Sequence, residues 1–371
     1  MKNLLFIVLI MLSHNFLLAQ NHEKEVSDYL QTEMQEQKIP GLQIGVIKNN
    51  ELILSKTVGL SNVTFSIPAK DNTLFSINSI AKIFAATAIM QLVEENKLKI
   101  DQPISNYLDG LPSEWSAITI KQLLSHTSGL PDIEDANTGE LVGGKGQDTA
   151  WILVQKMPLQ FKAGESFSYN ATNYLLVQKI IEKYSGLPFE KFIQKNQFDI
   201  AGMDQTVYGN SFDIIANKSP TYCFYHFDKA IGDYVKGEHL IETYEDFPTI
   251  MRADAGAFST TNDIAKWIMA LQSGKFLKKP SSIKTMWEPV KLNNGKYDGF
   301  GGILNGYALG WPVIIRENHP AVAPLGGGRA SVAIYTKDDL VIILLTNLSG
   351  IPVAEMADHI SKFYWPIEKK Q

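Results

Sequence analysis

Ser79-Ile80-Ala81-Lys82 is the group of residues in this chain whose types and spacing point most directly to chemistry. A serine in the first turn of a helix holds its hydroxyl near the positive end of the helix, and a lysine three residues later projects from the same face. A buried lysine that gives up its charge can take the proton from that hydroxyl and make it a nucleophile. The Ser-x-x-Lys (SxxK) pattern alone is weak, because average composition yields roughly one chance occurrence in a chain this long. Ser281 and Lys284 fit it too. Context separates the two. Ser79 follows the β-like stretch TLFSI and opens a strongly apolar helix, whereas Ser281 follows Lys278, Lys279 and Pro280 and reads as an exposed loop. On spacing alone Ser79 also fits a plain helix N-cap.

The rest of the text argues against metal or cofactor chemistry. The seven histidines form no pair at metal-ligand spacing, and the single cysteine, Cys223, sits in the aromatic run TYCFYHF, where a buried structural thiol is expected. The glycines at 326–328 are not followed by Lys-Ser/Thr and a helix, so they are not a phosphate loop. No cofactor and no metal is expected.

Elements that would carry Ser79 can be read from periodicity. Leu42, Ile44 and Val46 alternate, Asn49-Asn50 offers a turn, and a second apolar run starts at Leu52, which predicts a hairpin. Residues 80–95 carry apolar positions at helical spacing without Gly or Pro, which predicts a helix buried along one side. A short helix is expected within 117–132, ending at Gly129 and Pro131, and an amphipathic one over 172–185, stopped by Gly186 and Pro188. FEKFIQKNQF also reads as helix, as does IAKWIMALQSG, capped by Asp263 and the Thr and Asn residues before it. RASVAIYTKDDLVIILLTN reads as a second hairpin and VAEMADHISKFYW as a terminal helix. Strands thus cluster at both ends of the chain and helices fill the middle. The economical arrangement is one antiparallel sheet covered by terminal helices, with a mainly helical lobe beside it and a site at the seam. The sheet lobe is expected from about 20–75 and 250–371, and the helical lobe from about 76–249.

Composition agrees with a globular α/β (α+β) protein: 371 residues, 45% hydrophobic, 20% charged, with a net charge of -5. So mild a charge, with no basic patch, gives no reason to expect nucleic acid as a partner. Residues 1–19 read as a signal peptide: Lys2, the apolar stretch LLFIVLIML, then Ala19 as the small residue before the cut. Serine, histidine and asparagine at 13–15 interrupt the run, which favours cleavage over an anchor, and no later segment is long and apolar enough to span a bilayer. A periplasmic or secreted bacterial location is therefore expected for residues 20–371.

Beyond these local readings, NTLFSINSIAKIFAATAIMQLVEENKLKIDQPISNYL resembles the nucleophile region of the serine β-lactamase-like family. That family includes class C β-lactamases, penicillin-binding DD-peptidases, D-aminopeptidases and some esterases. Further segments match in the family's order: ITIKQLLSHTSGLP (118–131), AGESFSYNATNYLLVQKIIEKYSG (163–186), AGAFSTTNDIAKWIMALQSG (255–274) and the strand ending LLTN. The resemblance spans roughly residues 38–348. It implies Ser79 as nucleophile, Lys82 as its base and Tyr169 as the group that shuttles the proton to the leaving group, for which a phenol of lowered pKa is suited.

Two positions depart from the family pattern. Its Tyr-x-Asn becomes Tyr169-Asn170-Ala171, leaving Asn170 one place off and Asn173 two further on, and the literal Tyr208-Gly209-Asn210 lies out of place. The family's Lys-Thr-Gly or His-x-Gly aligns with Leu325-Gly326-Gly327, with His319 out of register and Arg329 as an alternative source of charge. The glycines allow close approach to a substrate, and an N–H of Gly327 or Gly328 joins that of Ser79 as an expected oxyanion hole; a Gly-rich hairpin entry is the other reading. The residues lost are those that grip the amide and carboxylate of penicillins and peptidyl-D-alanine. An apolar residue before the glycine is common in esterases similar to this family. The expected function is hydrolysis of carboxylic esters or related small-molecule or peptide-like acyl substrates. D-amino-acid peptidase or β-lactamase-type amide hydrolysis is the alternative within the class, and a non-catalytic ligand-binding protein the alternative outside it.

Overall fold

A computed structural model of the chain describes residues 22–135, 139–228 and 230–365. The expected signal segment, 1–19, lies outside the described residues. Helix α1 (22–36) precedes a hairpin of β1 (Gly41–Lys48) and β2 (Glu51–Asn62). Asn49 and Asn50 close it at φ of 52° and 61°. Asparagine tolerates this left-handed backbone, and two such residues in succession make the tight turn whose twist suits paired strands. The two-residue strands β3 (Ile67–Pro68) and β4 (Phe75–Ser76) follow, and then helix α2 (Lys82–Glu94).

The middle of the chain holds α3 (Ile120–Leu124), α4 (Gln147–Val154), α5 (Ala171–Ser185), α6 (Phe189–Ile193) and α7 (Asp199–Ala201). Next come β5 (Val207–Tyr208), the hairpin of β6 (Thr221–Asp228) and β7 (Asp233–Thr243), and β8 (Ala257–Ser259). Helices α8 (Thr261–Gln272) and α9 (Pro280–Trp287) lead to the last strands. These are β9 (Gly306–Tyr307), β10 (Pro312–Ile314), β11 (Ala321–Val322), β12 (Leu325–Gly326), β13 (Ala330–Tyr335) and β14 (Leu340–Thr346), and α10 (Val353–Ser361) comes after them.

The main sheet runs β3-β2-β1-β14-β13-β11-β10-β9, with β12 paired to β13, and its pairings are antiparallel. The two ends of the chain meet at its centre, where Leu42 lies opposite Thr346 and Lys48 opposite Leu340. Side chains alternate across β14. Val341, Ile343 and Leu345 join the core built on α2, α5 and α8, while Ile342 and Leu344 face the core of α1 and α10. A strand covered on both faces reads as an unbroken apolar run, and each such side chain contributes about 1.5–3 kcal/mol on burial.

Helix α2 is more enclosed than its pattern predicts: Lys82 to Met90 and Leu92 are all buried, so it is a core helix with little amphipathic character. α3 is shorter than expected. A capping box of Thr119 and Gln122 starts it, but it stops at Ser125, and His126 turns the chain away at φ 56°. Two further expectations need correcting. Ser281 and Lys284 are exposed on α9, a helix with Pro280 in its first turn, and not on a loop. The middle of the chain is not all helical, since β6 and β7 form a long ribbon there.

Candidate active site

Two strands converge on Ser79. β4 runs into a 3-10 turn, Asn78–Ala81, that places Ser79 half-buried at the start of α2. β12 lies against the same turn. A Cβ added at Gly326 would stand 2.0 Å from the Ile77 carbonyl oxygen, so the strand can approach this closely only as glycine. Gly327 and Gly328, at φ 55° and 60°, then turn the chain back into β13.

Lys82 is 1% exposed, and its Nζ lies against three oxygen atoms. The Nζ atom donates to Ser79 Oγ at 3.1 Å and to the Asp254 carbonyl at 3.1 Å, and forms an ion pair with Asp254 Oδ1 at 2.7 Å. Lys82 and Asp254 thus form a close ion pair inside the protein. Ser79 Oγ in turn donates to Asn78 Oδ1 at 3.3 Å.

Tyr169 completes the group. Lys82 Nζ lies 4.6 Å from the centre of its ring. The expected lowered pKa of this phenol is overturned. Burial pushes it well above its ordinary value, the Asp254 charge pushes the same way, and a hydrogen bond with Ser79 opposes them. Tyr169 thus stands as a protonated phenol. Its ring rests on His126 (4.2 Å between centres) and Phe300 (4.9 Å).

Lys82 faces two further carboxylates. Burial raises Asp132 to about 6, against hydrogen bonds from the Glu134 and Ala171 N–H groups, with Asp254 adding to the rise and Lys82 opposing it. Burial, then Asp254 and Asp132, raise Glu134 to about 8, again against Lys82. One lysine therefore sits among three acidic groups.

The remaining expected residues fall elsewhere. Asn170 does not present its amide to a substrate. It caps α5, accepting from the Asn173 N–H at 3.1 Å and donating to the Leu130 carbonyl at 2.9 Å. Asn173 is also committed, to Ser128 Oγ at 2.6 Å and His126 Nδ1 at 3.1 Å. His126 accepts from the Asn170 N–H at Nδ1, and burial and the Lys82 charge hold its pKa well below the usual value, so it is a neutral structural group. Tyr208 packs on Phe198 and Phe189, and His319 stacks on Trp365. Leu325 is partly buried against the α1 and α10 core. Arg329 is neither at the surface nor free to replace a lost cation. It is 2% exposed and pairs with Glu245 at 2.6 Å. Cys223 is buried, as expected, and donates to the Tyr225 carbonyl.

Sequence reasoning missed Asp254, Asp132, Glu134 and Glu245. Asp132 and Glu134 had one available signal, since they follow directly on the HTSGLP segment. Among the described residues there is no group of His, Cys, Asp and Glu that could hold a metal ion, and no helix long and apolar enough to cross a membrane.

Comparison with known proteins agrees with the fold. The model of the Beta-lactamase family matches residues 26–362, and the chain belongs to that family. Penicillin-binding protein 4* of Bacillus subtilis is 29% identical over 313 residues, which is 80% of this chain and 68% of that protein. Protein flp of Staphylococcus aureus is 26% identical over 354 residues, 93% of this chain and 67% of its own length. Among solved structures, the octameric penicillin-binding protein homologue of Pyrococcus abyssi superposes with a TM-score of 0.73 at 25% identity, covering 90% of this chain and 75% of that one. D-amino acid amidase of Ochrobactrum anthropi SV3 shares the fold at a TM-score of 0.76 and 20% identity, covering 93% and 98% of the two chains. Membership supports acyl transfer of the serine hydrolase type.

Proposed function

We propose that this protein is an exported serine hydrolase that carries its substrate's acyl group as an ester on Ser79. The observation that carries this reading is the 3.1 Å contact between Ser79 Oγ and the buried Lys82 Nζ. Ser79 Oγ attacks the substrate carbonyl. Its proton passes to Lys82 in the amine form, the third lysine proton having moved to Asp254. The N–H groups of Ser79 and of Gly327 or Gly328 hold the oxyanion. Tyr169, as a neutral phenol, then hands a proton to the departing oxygen or nitrogen and is recharged from Lys82. Water repeats the sequence on the acyl-enzyme and releases the acid.

Charge at the site bears on the substrate. The family's cation before the glycines is replaced by Leu325, Arg329 is occupied by Glu245, and Lys82 is matched by Asp254. Such a site disfavours a carboxylate beside the scissile bond, as in penicillins and peptidyl-D-alanine. Uncharged carboxylic esters are the leading substrates. Asp132 and Glu134, whose ionised forms a neighbouring ammonium would favour, support a second class, acyl groups that bear an amine, as amino-acid esters and amides do.

The test uses protein beginning near Gln20 and its Ser79→Ala variant, with a short-chain nitrophenyl ester and a fluorophosphonate probe. Turnover and covalent labelling that disappear in the variant support the reading. Wild-type protein as inert as the variant towards both reagents overturns it in favour of a binding protein.

A further inference from the structure

Glu245 is an acid outside the reacting group whose two oxygens reach opposite sides of the nucleophile's support. It follows the β6–β7 ribbon, where its N–H donates to Ser211 Oγ at 3.1 Å and its carbonyl accepts from the Ser211 N–H at 3.1 Å. Its Oε1 accepts from Asn78 Nδ2 at 3.0 Å, and its Oε2 pairs with Arg329 at 2.6 Å. Arg329 Nη2 also reaches Ser76 Oγ at 3.0 Å, in β4, and its Nη1 reaches Ser349 Oγ at 3.3 Å, whose own hydroxyl bonds the Gly327 carbonyl at 2.5 Å. One carboxylate therefore ties the residue before the nucleophile to the arginine that anchors the glycine loop.

The link bears on a residue whose backbone needs holding. Asn78 sits at φ 45°, a conformation that non-glycine residues seldom adopt and that persists where surrounding contacts enforce it. Asn78 Oδ1 is engaged by Ser79 Oγ, which leaves Nδ2 to face Glu245. A carboxylate is the one group of this shape that accepts at both ends. Its isostere glutamine presents an NH2 to either Asn78 or Arg329, where a donor already stands.

We propose that Glu245 is a positioning residue for acyl transfer. It holds the Asn78–Ser79 turn and the Gly326–Gly328 loop in register, so that the two N–H groups of the oxyanion hole converge on one point. The proposal rests on the reading of Ser79 as nucleophile, and it predicts an effect on the rate of bond formation with no effect on probe binding.

The experiment compares fluorophosphonate labelling of wild type, Glu245→Gln, Asn78→Gly and the double variant, well below their unfolding temperatures. Glu245→Gln should lower the maximal labelling rate about tenfold or more, with the half-saturating probe concentration unchanged, as expected for a misplaced reacting group. Asn78→Gly relieves the backbone and leaves the Glu245–Arg329 pair intact. It should slow labelling comparably, which keeps the test available if Glu245→Gln fails to fold. The double variant should be no slower than Asn78→Gly alone, because both remove one link. Glu245→Gln labelled as fast as wild type, or rate losses that multiply in the double variant, would overturn the proposal while Ser79 remains the nucleophile. Wild type that does not label at all removes the Ser79 reading and the proposal with it.

Discussion

Asp254 Oδ1 stands 2.7 Å from Lys82 Nζ at a position where the lysine side chain is 1% exposed. The pair is a charge and its countercharge withdrawn from water together, and neither is tolerable there alone. Asp254→Ala should therefore cost about 3–5 kcal/mol of stability, the usual penalty for orphaning a buried charge. Chemical denaturation measures it. A loss below about 1 kcal/mol, the range of exposed ion pairs, would show that Lys82 is not held as a buried cation.

Tyr169 bears on the leaving group. A phenol kept protonated by burial and by the Asp254 charge is a donor. Its removal should hurt most where the departing group needs a proton. Tyr169→Phe should lower turnover of an alkyl ester or an amide by about a hundredfold. Turnover of a nitrophenyl ester, whose leaving group departs as a stable anion, should change by only a few-fold. Equal losses on both would assign Tyr169 a packing role.

Glu134 and Asp132 make stability depend on pH. Their folded-state values, about 8 and about 6, lie above those of an unfolded chain. The folded protein therefore binds protons more tightly than the unfolded one. The stability tied to these protons is fully present below the unfolded values, near pH 4, and is lost as pH rises through about 6 and then about 8. Glu134→Gln removes the larger part. Its melting temperature relative to wild type should climb from about pH 5 to about pH 8 and level off above that. A difference that stays flat across this range would place the Glu134 carboxyl in water.

Gly326 is the tightest contact at the site. A methyl group there meets the Ile77 carbonyl oxygen at 2.0 Å, so β12 or the turn that carries Ser79 has to move. Gly326→Ala should cost about 1–3 kcal/mol from overpacking. It should also cut Ser79 labelling by about a hundredfold, because an ångström of misplacement suffices for that. Full labelling in this variant would show that the turn tolerates displacement.

How much was legible in the sequence depends on what kind of signal a residue carries. The first hairpin could be found because Asn49-Asn50 both favour the left-handed backbone. Helix α5 could be found because Gly186, at φ 72°, ends it as a left-handed cap. The structure brings Ser79 and Lys82 into contact and sets Gly326 against Ile77, two residues before Ser79. The site's carboxylates were hidden for a physical reason. Asp254, Asp132 and Glu245 reach the site from irregular segments, where no periodicity marks a side chain as inward and a lone acid reads as solvated. The ribbon of β6 and β7 was hidden as well. Its outer strand, DYVKGEHLIET, is polar at most positions and mostly exposed, so nothing in its pattern asks for burial. Asn170 misled because a capping asparagine and a substrate-binding one look alike in text.

The pairing of β1 with β14 also sets the order in which the molecule can come together. The turn that carries Ser79 is made early in synthesis, but β12, which closes against it, hangs from β13, and β13 is held by β14, the strand that docks beside β1. Pairing of such high sequence separation is slow and waits for the last strands to leave the ribosome. Until then Ser79 has a hydroxyl but no facing glycine loop. A nascent or truncated chain lacking β13 and β14 should carry no reactive serine, which confines the chemistry to wherever the finished chain folds.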